Sequence, residues 1–113
     1  MATKKYITKR LDAMGKKAEG NKTKTTAINQ CQRWLTQYHW ADMQAPVAKE
    51  INRLSAMLLA LVEEKKKRLF NELEEDFFAR HLDTFLIYKE FHNMIHTTAW
   101  HAELERKHRQ KAA

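Results

Sequence analysis

Apolar residues recur every three or four positions along most of this chain, the period of a helix that buries one face. The clearest stripe is Val47, Ile51, Leu54, Leu58, Leu61 and Val62, continuing to Leu69. Its spacing is close to a heptad seam, which suits a long antiparallel or coiled-coil contact. A broader aromatic face follows at Phe77, Phe78, His81, Leu82, Phe85, Tyr88, Phe91, Met94 and Ile95. That face is wider than a two-stranded seam needs, so it should meet two neighbours: earlier helices of the chain, or a second copy in a homodimer. Upstream, Ile28, Cys31, Leu35 and Tyr38, flanked by Trp34, predict a helix over about 27–40. Tyr6, Ile7, Leu11 and Met14 suggest a short helix within residues 1–14, too short to persist undocked.

Breakers and charges set the boundaries. Residues 47–113 contain neither glycine nor proline. Asp42 is a candidate cap for the second main helix, and Pro46 is tolerable only in that helix's first turn, where no intrahelical donor is lost. Residues 65–68 (KKKR) favour a helix C-terminus, and Glu72, Glu74, Glu75 and Asp76 favour an N-terminus. Asn71, three residues before Glu74, has capping-box spacing. A tight turn is therefore expected at 70–72, with a third main helix over about 73–109. Residues 15–26 (GKKAEGNKTKTT) hold both glycines and almost no apolar side chain, and read as a flexible basic linker. Thr25 or Thr26 would then cap the first main helix. The expected fold is all-α. It is a small elongated bundle of three main helices, a long α-hairpin plus a packed N-terminal helix, with a basic N-terminal arm. The division falls into 1–26 as arm or linker and 27–113 as bundle, and the arm should be removable without loss of the fold.

The net charge of +7 is unevenly placed. Residues 1–26 carry Lys4, Lys5, Lys9, Arg10, Lys16, Lys17, Lys22 and Lys24 against Asp12 and Glu19. Residues 27–105 are net acidic, and the C-terminus adds Arg106, Lys107, Arg109 and Lys111. Basic ends on a near-neutral body point to a polyanion, with DNA or RNA held mainly by its backbone as the first reading. Lysine predominates in the arm, which suits point-charge contact with phosphates and implies little sequence preference. Lys65, Lys66, Lys67 and Arg68 form a further candidate patch. No run approaches the roughly 20 apolar residues of a membrane span, and no apolar secretory segment follows the basic start. The expectation is a soluble cytoplasmic protein that does not engage membranes.

Little else carries chemistry. His92 and His96 share a helix face, with Glu103 as a third candidate, but Asn93 stands where a zinc protease would have its general base. Partly buried, hydrogen-bonded histidines are the expected outcome, with no metal site. The carboxylates at 72–76 read as a solvated helix start. Cys31, the only cysteine, reads as a small core residue. Ser55 sits mid-helix with no base in context. A non-enzymatic protein without cofactors is expected. Trp34 should be core, and Trp40 should staple a helix end. Trp100, with Phe91 and Tyr88, is a candidate contact for a protein partner. The leading expectation is thus a helical accessory protein within a nucleoprotein complex. The alternative is a protein-binding adaptor or inhibitor acting through the aromatic face, of a style that resembles phage and plasmid accessory proteins.

Overall fold

The computed structural model describes the backbone of residues 4–112 and the side chains of residues 4–39 and 42–97. Among these residues there are four helices and no strand: α1 (Lys4–Lys17), α2 (Lys22–Gln37), α3 (Trp40–Lys67) and α4 (Glu72–Ala112). The all-α class stands as expected. The helix count does not, because residues 4–17 form a helix of their own and residues 22–26 belong to α2.

The stretch read as a linker is a turn of four residues. Asn21, rather than Thr25 or Thr26, caps α2: its side chain accepts from the Lys24 N–H at 3.0 Å. Gly20 takes φ +85, a left-handed conformation in which other side chains are strained. Ala18 is buried, and its N–H bonds back to the Met14 carbonyl, closing α1.

Burial explains why α1 is not a free arm. Ile7 and Leu11 are fully buried, in one cluster with Ala27, Ile28, Cys31, Trp34 and Leu35 of α2. The Lys4 ammonium donates to the Tyr38 carbonyl at 2.8 Å, and the Gln32 amide donates to Asp12 at 3.0 Å. These contacts run the length of both helices, so α1 and α2 lie antiparallel as a helical hairpin.

The α3–α4 hairpin is the backbone of the molecule. Met43, Val47, Ile51, Leu54 and Leu58 of α3 face Ile87, Tyr88, Phe91, Met94 and Ile95 of α4 in the core. The turn between them falls where charge order placed it. Asn71 Oδ1 accepts from the Glu74 N–H at 2.9 Å, and the Glu74 carboxylate accepts from the Asn71 N–H at 3.2 Å, a complete capping box. The start of α3 differs from expectation. The helix begins at Trp40, so Pro46 lies inside it rather than in its first turn. The N–H groups of Asp42 and Met43 both bond to the His39 carbonyl, and so Asp42 is not the cap.

α1 and α2 cover only part of this hairpin. Core contacts end near Leu58 on α3 and Ile87 on α4. Beyond them the hairpin projects as a two-helix arm on which Leu59, Leu69 and Leu73 are exposed. The molecule measures 63 × 29 × 18 Å. Its radius of gyration is 17.2 Å, against about 13 Å for a compact chain of this length. Among the described residues, no helix is long and apolar enough to cross a membrane.

Candidate nucleic-acid interface

The structure separates the basic residues into those already engaged and those that are not. At the hairpin tip, four cations at 65–68 meet six carboxylates at 63–76. Lys65 bonds Glu75 at 2.8 Å and lies over the Phe70 and Phe78 rings. Lys66 pairs with Glu63 at 3.0 Å. Arg68 pairs with Glu64 at 3.2 Å and grips Glu74 with both terminal nitrogens. The Arg68 guanidinium, with help from the Asn71 backbone N–H, holds the Glu74 carboxyl below its ordinary range. Of the tip cations, Lys67 has no ion pair among the described residues. This patch is a structural clasp, not an open polycation.

The opposite picture holds on α1. Lys5, Lys9 and Lys16 are exposed on the side turned away from Ile7 and Leu11, as a 100° rotation per residue requires. None of them enters an ion pair among the described residues. Arg10 faces α4 instead, where it meets Glu90 at 3.3 Å. Lys17 and half-buried Lys24 flank a groove floored by Met14, Ile28 and Ile87, with Asp83 and Glu90 on its far wall.

α2 continues this surface. It is sixteen residues long and contains no carboxylate. Its buried side is Ala27, Ile28, Cys31, Trp34 and Leu35. Its exposed side carries Lys22, Thr26, Asn29, Arg33 and Thr36. Asp12 and Gln32 bond across the seam between the two rows, so they adjoin on one outer face. Asp12 is the one carboxylate of α1. Sequence reading places Lys22 and Thr26 in a linker and singles out none of Asn29, Arg33 and Thr36 on the helix it predicts over 27–40, so it misses α2's half of the face. The absence of any acid from 20 to 41 was the available signal.

The candidate partner residues Phe91 and Tyr88 are not surface groups, which corrects the sequence reading. Phe91 is fully buried. Tyr88 is 8% exposed, stands edge-on to Trp34 at 4.9 Å, and has its hydroxyl pushed up to about 12, by burial first. Both are consumed by contact with α2. Trp100, Arg106, Lys107, Arg109 and Lys111 lie outside the described side chains, as does Glu103. The α4 backbone carries the last four cations away from the hairpin tip, toward the end of the bundle where α1 begins.

No cluster of three or more metal-binding side chains occurs among the described residues. His92 and His96 stack at 6.3 Å, and burial beside His96 and Lys89 lowers the His92 pKa. Cys31 is fully buried, and burial pushes its thiol far above the reactive range. No protein family, curated protein or solved structure matches this chain.

Proposed function

We propose that this protein is a non-enzymatic helical accessory protein that binds nucleic-acid phosphates through the outer face of its α1–α2 layer, within a larger nucleoprotein complex. The observation that carries this reading is the row Lys5, Lys9 and Lys16, solvated and unpaired, on a face whose neighbouring helix has no acid. Lysines in such a row exchange condensed counterions for their own charge when a phosphate backbone lies along them. Lys22 extends the row past the turn, while Lys17 and Lys24 flank the groove whose far wall is Asp83 and Glu90. Arg106, Lys107, Arg109 and Lys111 supply a second contact from the end of α4. Residues 65–68 contribute little, because their charge is spent on carboxylates.

The test is fluorescence anisotropy with short duplex and single-stranded DNA and RNA across a salt series. The reading expects submicromolar binding at low salt, falling steeply as salt rises. A triple Lys5→Ala, Lys9→Ala, Lys16→Ala variant should keep its helicity, bind at least tenfold more weakly and show a shallower slope. Absence of binding at low salt rejects the reading.

A protein partner has its own supporting observation. Leu69 and Leu73 are 95% and 81% exposed at the hairpin tip. In a larger complex the tip would face protein while the α1–α2 layer faces nucleic acid.

A further inference from the structure

Lysine rows hold phosphates but do not distinguish sequences, and α2 carries more than lysine. We propose that the exposed stripe of α2 reads base edges in the major groove of duplex DNA while the α1 lysines hold the flanking phosphates. This inference rests on the phosphate-binding reading above and adds sequence discrimination to it.

The argument is one of side-chain chemistry at helical spacing. Lys22, Thr26, Asn29, Arg33 and Thr36 are separated by four, three, four and three residues, so they form a single line about 21 Å long. All five are exposed. They match the groove's donor and acceptor code. Arg33 presents a donor fork for the two acceptors of guanine, and Asn29 a donor–acceptor pair for adenine. The Thr26 and Thr36 hydroxyls bond back to carbonyls of their own helix, at 2.8 Å for Thr26 and at 3.0 and 3.2 Å for Thr36. Their hydroxyl protons are thereby spent on the backbone, leaving methyl contact as what these residues can offer thymine.

Arg33 is held for such a role. Its guanidinium bonds the Gln30 side-chain oxygen at 2.9 Å rather than a carboxylate, so it keeps its full charge and its remaining donors. On the solvated faces of α3 and α4 the described arginines are neutralised by carboxylates, Arg53 by Glu50 and Arg80 by Asp76. α2 is the one helix in which every charged side chain is positive.

The neighbouring elements leave room for the approach. α1 lies on the Gln32 side of α2, and α4 packs behind Trp34. The stripe therefore forms the outer edge of the layer, with Thr26, Asn29, Arg33 and Thr36 lining an open depression. Duplex DNA suits it because the B-form major groove, about 12 Å wide, admits a helix; the A-form groove of RNA is too narrow. This is not a helix-turn-helix, since α1 and α2 are antiparallel along their full length. The reading helix here is presented by a helical hairpin instead.

The experiment is selection of binding sequences from a random duplex pool with the full-length protein, followed by anisotropy on enriched and scrambled duplexes. The inference expects an enriched motif containing guanine and adenine, bound at least tenfold better than its scramble at about 150 mM salt. Arg33→Ala and Asn29→Ala should each remove most of that preference, read as the ratio of enriched-duplex to scrambled-duplex affinity. Lys5→Ala with Lys9→Ala should weaken both duplexes equally. Equal binding of enriched and scrambled duplexes, or stronger binding to RNA or single strands than to duplex DNA, overturns the inference and leaves the phosphate-binding reading standing. No binding to any nucleic acid at low salt overturns both. Circular dichroism of each variant separates loss of recognition from loss of fold.

Discussion

The Asp12 carboxylate accepts a 3.0 Å hydrogen bond from the Gln32 amide, tying α1 to α2 at the centre of the basic face. It is the one acid of either helix. On the proposed phosphate-binding reading, a phosphate approaching the lysine row would meet this charge, so Asp12 would oppose binding while it braces the layer.

Asp12→Asn separates those two effects. The asparagine carbonyl still accepts from Gln32, and the negative charge disappears. The expected result is unchanged thermal stability and a several-fold gain in nucleic-acid affinity at low salt, measured by anisotropy. An unchanged affinity would place the ligand elsewhere.

Leu11 tests whether α1 belongs to the folded unit. It is fully buried in the common core. Leu11→Ala should cost about 2–5 kcal/mol in chemical denaturation. A detachable arm would show no change. For the same reason, deletion of residues 1–24 should destabilise the whole bundle and is not a clean test of the basic surface.

Trp34 is the link between the two hairpins. It is 8% exposed, edge-on to Tyr88 and stacked on Phe91 at 6.2 Å. Trp34→Ala should cost about 3–5 kcal/mol. Its fluorescence gives no isolated signal, since Trp40 and Trp100 also emit, so urea titration followed by circular dichroism is the readout.

Asn71→Ala removes one half of the capping box at the tip. The expected loss is about 0.5–2 kcal/mol. Glu74 keeps its bond to Arg68, so the effect should stay at the lower end of that range. Scanning calorimetry of the variant checks it.

His92 gives a pH dependence whose sign follows from its surroundings. Burial, His96 and Lys89 all disfavour its protonated form in the folded state. The unfolded chain therefore takes up the proton first as pH falls through its ordinary value of 6.5. The stability contribution is complete above that value and is lost as pH drops below it toward the lowered folded pKa. His92→Gln should lose less thermal stability than the parent between pH 7.5 and 5.5. Identical slopes would refute the assignment.

The long hairpin was legible because its cause lies in local pattern. Val47, Ile51, Leu54 and Leu58 keep helical spacing, and the sign of charge reverses across Asn71 just where the chain turns. The α1–α2 turn was not legible. KTKTT at the start of α2 has no apolar residue, so periodicity is silent until Ala27, and the glycines suggested a linker. What makes those residues helical is the Asn21 cap and the later packing of Ile28, Cys31 and Leu35, which is tertiary. The start of α3 was misplaced for a related reason: Pro46 marked a first turn, yet the helix tolerates it inside. The aromatic face, in turn, was correctly seen as too wide for one neighbour. Its second neighbour is α2 of the same chain, which is why Tyr88 and Phe91 are closed to partners.

The unequal cover over the α3–α4 hairpin has a consequence for how the molecule breathes. From residue 59 to the tip and back to about 80, each helix has only the other to hold it, while Val47, Ile51, Leu54, Ile87, Phe91 and Ile95 share one core with α1 and α2. Amide protons should therefore exchange with deuterium in two classes. Those of the projecting arm should exchange through local opening well before those near Val47 and Phe91, which wait for global unfolding. The arm is thus the segment free to adjust its shape without disturbing the surface formed by α1 and α2.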